Sequence, residues 1–268
     1  MVSTATPPRP IRLWAKAVCL ALAVWALALT PAFAADAAAL QPAPTPRPMR
    51  ADFEQETASR EARQLAHWVL DSGDNQGLPF ALVDKGAAKV FVFDPDGQLR
   101  GASSALVGLA RGDDTVPGIG NRKMSAIRPQ ERTTPAGRFA ASLERSVHGD
   151  EILWVDYDAA IALHRLVDVP HERRLQRLAS SDPLRRRITY GCINVPVAFF
   201  DSVVSATFRG KKGLVYVLPE TRSLAQVFGA YDVEEPAGRA TAKRPAPTLA
   251  PMAELAPRLL ESTAALRY

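Results

Sequence analysis

Six short apolar runs, each bounded by turn residues, most constrain what this chain can fold into. They lie at residues 90–93, 104–109, 139–143, 152–157, 161–166 and 214–218. They are rich in β-branched and aromatic residues and too short for stable helices. Signals such as Asp94-Pro95-Asp96-Gly97 separate them. From about Leu78 onward the chain therefore reads as β structure. Three stretches read as helices instead. Over 52–70, Ala58, Ala62, Leu65 and Val69 share one face, and Gly73 follows as a stop. His67 falls on the opposite, polar face and reads as solvated. Residues 170–179 form a short basic helix. Over 196–208, Phe199/Phe200, Val203/Val204 and Thr207/Phe208 recur at the helical period, with Pro196 tolerated in the first turn.

The ends have a different character. Arg9, Arg12 and Lys16 precede an apolar run, and Ala32-Phe33-Ala34 reads as a small-x-small cleavage site. Residues 1–34 thus read as a secretory signal peptide, and the mature chain as exported and periplasmic. The clean apolar stretch after Lys16 is shorter than the roughly 20 residues a membrane span needs. Residues 35–50 read as an Ala/Pro-rich linker and 51–77 as an N-terminal helical segment. One folded domain is expected over 78–222. Residues 232–268 read as a Pro/Ala-rich, mostly disordered tail, with one weak helix over 252–267.

Composition excludes several classes. A hydrophobic content of 47% with 23% charged residues is that of a globular protein, not a disordered chain or a multi-span membrane protein. The net charge of +5 falls to +2 when the leader takes its three basic residues and no acids. A global argument for nucleic-acid binding therefore fails. Of the two cysteines, Cys19 leaves with the leader. Cys192 remains alone, which excludes an intramolecular disulfide scaffold, a Cys-rich zinc module and a dithiol oxidoreductase.

Cys192 stands in Arg187-Ile188-Thr189-Tyr190-Gly191-Cys192-Ile193-Asn194-Val195-Pro196, a few residues before the helix of 196–208. Unpaired amides and the dipole at a helix N-terminus favour thiolate, so a lowered thiol pKa is expected. Gly191 permits a tight turn whose amides can converge on an oxyanion. These features point to a cysteine nucleophile. A nucleophilic cysteine wants a histidine. His67, His148 and His171 lie on an outward face, in a turn and at the start of the basic helix. His164, a polar residue closing an apolar strand, is the favoured base over those three.

Other signals lead nowhere. Gly118-Ile119-Gly120 does not complete GxGxxG, and position 175 is Leu, so His171-Glu172 is not HExxH. Asp156 and Asp158 read as solvated hairpin residues. Residues 111–137 hold three prolines and four glycines, a long ordered loop of the kind that carries function. Residues 165–187 carry seven arginines against three acids, either a solvated face or a carboxylate-binding surface.

His164 followed by Thr189-Tyr190-Gly191-Cys192-Ile193-Asn194 resembles the signature of the L,D-transpeptidases, the YkuD-type catalytic domain. In that family a His precedes, after a spacer, Ser/Thr-His-Gly-Cys-hydrophobic-Asn/Arg. Thr133-Thr134-Pro135-Ala136-Gly137-Arg138-Phe139 resembles the family's upstream Thr-Pro-x-Gly-x-Phe segment. The resemblance covers residues 88–219. It implies a mainly β, sandwich-like domain with a few short helices, acting on peptidoglycan stem peptides without metal or organic cofactor. Cys192 would attack the third stem residue, D-Ala would leave, and an amine acceptor would resolve the thioester. His164 would be the general base. The backbone of Tyr190 and Gly191, with Cys192, would form the oxyanion hole, and carbapenems would acylate Cys192. Thr189, Asn194 and Arg187 flank the nucleophile and are expected to meet substrate. The chain departs from the pattern twice. Tyr190 stands where the family has His, and 24 residues separate His164 from Thr189, with 170–183 as the inserted part. The same residues serve a hydrolase if water replaces the amine, or a non-catalytic peptidoglycan-binding protein if the site has decayed.

Overall fold

Period-two alternation sorts the strand residues into two cores. In the computed structural model, which describes residues 49–146 and 148–235, ten strands form among those residues. They are β1 (Phe80–Asp84), β2 (Lys89–Phe93), β3 (Leu99–Ser104), β4 (Val107–Gly108), β5 (Gly137–Arg145), β6 (Glu151–Asp156), β7 (Ile161–Arg165), β8 (Arg187–Thr189), β9 (Ile193–Val195) and β10 (Lys212–Val217). Eight of them build one sheet in the order β3-β2-β1-β10-β5-β6-β7-β9, and β4 pairs with β8 in parallel. Ala81 and Val83 of β1 enter one core with Val90, Val92, Val215 and Val217. Phe80 and Leu82 enter the other with Phe91, Phe93, Leu214 and Tyr216. Every residue of β1 is buried, as expected of a strand covered on both faces. The fold is thus mainly β with a few short helices, as the apolar runs and the resemblance imply.

The edges of the sheet meet. Segment 99–108 pairs with β2 through β3, then crosses to the far edge. There Leu106 exchanges both backbone hydrogen bonds with Asn194 of β9, at 2.8 and 2.9 Å. This removes the free ladder that an open edge would present and curls the sheet around the first core. Helix α3 (197–208, with π-type turns over Phe200–Ser205) plugs that core with Phe199, Phe200, Val204 and Phe208. Gly101 of β3 lies under this helix. A Cβ there would come within 3.0 Å of Val203.

Several expectations shift. The strand expected over 104–109 is replaced by β3, which ends at Ser104, and by the two-residue β4. Pairing with β2 selected the less apolar Leu99–Ser104 stretch. The first helix, α1, runs Arg60–Ser72 rather than from residue 52. Ser59 caps it by accepting from the Ala62 amide at 3.0 Å. Phe53 packs edge-on against Phe91 and Phe93, with ring centroids 5.3 and 5.1 Å away, and holds 52–58 outside the helix. Gly73, at φ 69°, ends α1 as expected. His67 is half-buried rather than solvated, and its Nδ1 accepts from the Ala51 amide at 3.2 Å. In the basic segment Arg173 adopts φ 52°, so helix α2 covers only Arg174–Leu178. Helix α4 (Leu224–Phe228) follows β10, and Val233 is still buried in the second core, one residue past the expected start of the tail. The signal peptide 1–34, most of the linker and residues 236–268 lie outside the described residues. Among the described residues, no helix is long and apolar enough to cross a membrane.

Loop 109–136 is bolted to the body by a buried charge cluster. Lys85 donates from Nζ to Asp113 Oδ1 at 3.1 Å and to the carbonyls of Gly112 and Thr134. Asp113 also accepts from the amides of Glu220, Thr221 and Arg222, at 2.6, 2.9 and 2.8 Å. Burial alone would raise the Asp113 pKa, but the Thr221 hydroxyl and these amides hold it below the usual carboxylate range.

Candidate active site

The parallel pairing of β7 with β9 sets Leu163 against Ile193 and His164 against Asn194. One residue earlier in that register, Cys192 falls beside Ala162. Its thiol donates to the Ala160 carbonyl with Sγ 3.7 Å away. Leu163, Ile193 and Val195 face the first core. By alternation, Ala162, His164, Cys192 and Asn194 share the opposite face. The favoured nucleophile and the favoured base are therefore diagonal neighbours on adjacent strands. Ala160 itself sits at φ 54°, a left-handed conformation unusual for a non-glycine residue, at the turn that presents its carbonyl to the sulfur.

Two threonines hold the nucleophile turn. Thr134 donates its hydroxyl to the Gly191 carbonyl at 2.8 Å and accepts the Gly108 amide at 2.9 Å. Thr189 donates to the Cys192 carbonyl at 2.6 Å and accepts from the Gly191 amide at 3.2 Å. Thr189, expected to meet substrate, lines the cleft at Cys192 and also braces the turn. The Gly191 amide, expected in the oxyanion hole, is engaged by Thr189. Thr134, part of the Thr-Pro segment, had no role assigned from sequence, and its two bonds supply one.

His164 is 4% exposed and fully hydrogen-bonded. Its Nδ1 lies 2.8 Å from the Arg165 carbonyl, which only accepts, so the proton sits on Nδ1. Nε2 then accepts from Asn194 Nδ2 at 3.0 Å. Asn194 Oδ1 in turn receives Arg174 Nη1 at 3.3 Å. Burial pushes the His164 pKa down to about 4, with Arg174 adding to the fall and the Arg165 carbonyl opposing it. Burial also pushes the Cys192 thiol up, against the Ala162 amide and the Arg174 charge. The lowered thiol pKa expected from the helix N-terminus is not found. Strand β9 separates Cys192 from α3, which begins only at Val197, and the dipole acts within about one turn of the helix end. At rest the pair is neutral thiol and neutral imidazole.

The buried neutral imidazole predicts an acid sensitivity. Between pH ~6.5 and 4 the unfolded chain binds a proton that folded His164 refuses, so stability is complete above that window and falls through it as pH drops. At about 1.4 kcal/mol per pKa unit the loss is on the order of 3 kcal/mol. Urea midpoints at pH 7.5 and 4.5 should separate in the wild type and draw together in His164→Gln. Equal pH dependence in both proteins would refute this.

A cleft opens onto Cys192. Loop residues Ile119, Arg122, Met124 and Ile127 form one wall, and 159–161 the other. This bears on the long loop of 111–137, whose 3-10 turns carry those side chains. Tyr190 lines the cleft with its ring under the Arg132 guanidinium, 3.9 Å from the centroid. Arg187 is not brought to the cleft. It is buried against Glu220, which Lys85 also approaches at 3.9 Å, so its expected contact with substrate is corrected to a structural ion pair. Arg174 is the residue sequence reading missed. The seven-arginine stretch signalled it, but nothing distinguished it from the other six.

No family model matches the chain, and no curated protein matches it. Among solved structures it is similar to the helical cell shape determining protein Pgp2 of Campylobacter jejuni, with 15% identity and a TM-score of 0.37 over 55% of this chain and 49% of that one. It is similar to an L,D-transpeptidase of Xylanimonas cellulosilytica at 14% identity and TM-score 0.34, covering 53% of this chain and 60% of that one. It is also similar to the catalytic domain of the Enterococcus faecium L,D-transpeptidase, at 16% identity and TM-score 0.32, over 52% of this chain and 95% of that domain. The chain thus spans about half of the first of these and three fifths of the second.

Proposed function

We propose that this chain is an exported, periplasmic peptidoglycan L,D-transpeptidase with Cys192 as nucleophile and His164 as general base. The observation that carries the reading is the β7–β9 register, which sets Cys192, a residue that lines the cleft, diagonal to a histidine whose Nε2 carries no proton and accepts from Asn194. The motif Thr189-Tyr190-Gly191-Cys192-Ile193-Asn194 supports it from sequence.

The thiol gives its proton to His164 Nε2 as sulfur attacks the carbonyl of the third stem residue. Asn194, which occupies Nε2 at rest, gives way in that step. The C–S bond forms, and the negative charge on oxygen is met by the amides of Tyr190 and Cys192. The C–N bond to the terminal D-Ala then breaks, and His164 returns the proton to the departing amine. An acceptor amine attacks the thioester, loses its proton to His164, and expels the Cys192 thiolate, which is reprotonated. Stem peptides are the substrate class, and the chemistry calls for no metal or organic cofactor.

The test is the intact mass of residues 35–268 after incubation with a carbapenem. One adduct of the drug's mass is expected on the wild type and none on Cys192→Ala. A folded wild type with a titratable thiol and no adduct overturns the proposal. Muropeptide products then separate transfer to an amine from hydrolysis.

A further inference from the structure

Two guanidinium groups and no carboxylate line the cleft at Cys192. They are not equivalent. Arg122 pairs with Glu131 at 3.1 Å with its side chain 37% exposed, so solvent screens its charge. Arg174 is only 8% exposed, although arginine seldom lies so deep without a task. It arrives from the 170–178 excursion, which Leu178 fastens to Leu106 and Leu166. Glu172 holds Nε from behind at 2.5 Å, and Nη1 rests on Asn194 Oδ1. These bonds fix the guanidinium plane and use Nε and Nη1. Nη2 is left on a residue that lines the cleft.

We propose that Arg174 is the group through which this chain recognises a carboxylate on its donor, one residue beyond the carbonyl that Cys192 attacks. This rests on the acyl-transfer reading above and adds the recognition element that the inserted segment supplies. A planar guanidinium held by a second carboxylate at its back suits such a role, since it meets a carboxylate with directed hydrogen bonds at little ordering cost. The asymmetry of charge in the cleft then selects donors with a free acid over neutral ones. The 170–183 segment acquires a function as well. It carries a specificity residue into the site on a short, anchored helix.

The experiment compares acylation of Cys192 by a carbapenem and by its carboxylate methyl ester. It also compares a short peptide donor with its C-terminal amide. Wild type should favour the acid form by about tenfold or more, the equivalent of one well-made charged contact. Arg174→Met should lose that preference, mainly through a raised KM for the acid forms, so that the ratio of acid to neutral rates falls towards one. Arg174→Lys, which keeps the charge and loses the fork, should recover part of it. Thermal midpoints report whether each variant folds, and the wild-type ratio decides the matter even if Arg174→Met does not. Equal wild-type rates on acid and neutral forms overturn the inference while leaving the acyl-transfer reading intact. A folded Arg174→Met that retains the preference overturns it too. A wild type that acquires no adduct from either form fails at the underlying reading, and the inference falls with it.

Discussion

Gly191→Ala is expected to abolish acylation of Cys192 and to destabilise the domain by about 3–5 kcal/mol. Gly191 sits at φ 131°, which side-chain-bearing residues rarely adopt. A Cβ there would lie 2.5 Å from Ile161 Cδ1 and 2.8 Å from the Thr133 carbonyl. The isoleucine tip can rotate aside. The Thr133 carbonyl cannot, because the neighbouring Thr134 hydroxyl is clamped between Gly108 and the Gly191 carbonyl itself. Relief therefore has to come from the nucleophile turn, which moves the sulfur away from Ala160 and the face it shares with His164. Urea denaturation reads the first effect and adduct mass the second. A variant with the wild-type midpoint and wild-type acylation rate would refute the account.

Asp113→Ala is the second large effect, at roughly 3–5 kcal/mol, the usual result of removing one partner from a buried ion pair. Lys85 would lose its close carboxylate, and the amides of Glu220, Thr221 and Arg222 would lose their common acceptor. Glu220 at 3.9 Å from Lys85 Nζ is a poor substitute, since it already serves Arg187. The damage should also reach the cleft, because Asp113 anchors the loop whose residues 119–127 form its wall. Hydrogen exchange should accelerate through that loop, and β7 should stay protected. Unchanged exchange in the loop, or a loss below ~1 kcal/mol, would show that the cluster is not what holds it.

The β character was legible because it is local. Val90–Phe93 and Ile161–Leu163 alternate or run apolar within a few residues of a turn signal, and the structure makes strands of both. Gly73 ended α1 for an equally local reason. Strands β8 and β9 were not legible, since three residues each carry no period, and both exist through partners distant in sequence: β9 lies between β7 and Leu106, and β8 beside β4. At the site, Cys192 and His164 stood out by residue type and position. The charge state of the thiol was not legible, because burial, which raises its pKa, is set by tertiary packing, and the helix that starts at Val197 lies beyond the three residues of β9.

The mainly β class, a cysteine at a glycine turn, the histidine closing a strand and the long loop before the Thr-Pro segment could all be read from the chain alone. All of these rest on contacts or conformations within a few residues, where propensity and pattern act directly. Long-range packing was needed to settle which of seven arginines enters the cleft, that Arg187 turns away to Glu220, that the Gly191 amide is held by Thr189, and that Asn194 stands between Arg174 and His164. Those outcomes depend on how elements of similar local character pair across the sheet, and a one-residue change in strand register exchanges which side chains face the cleft.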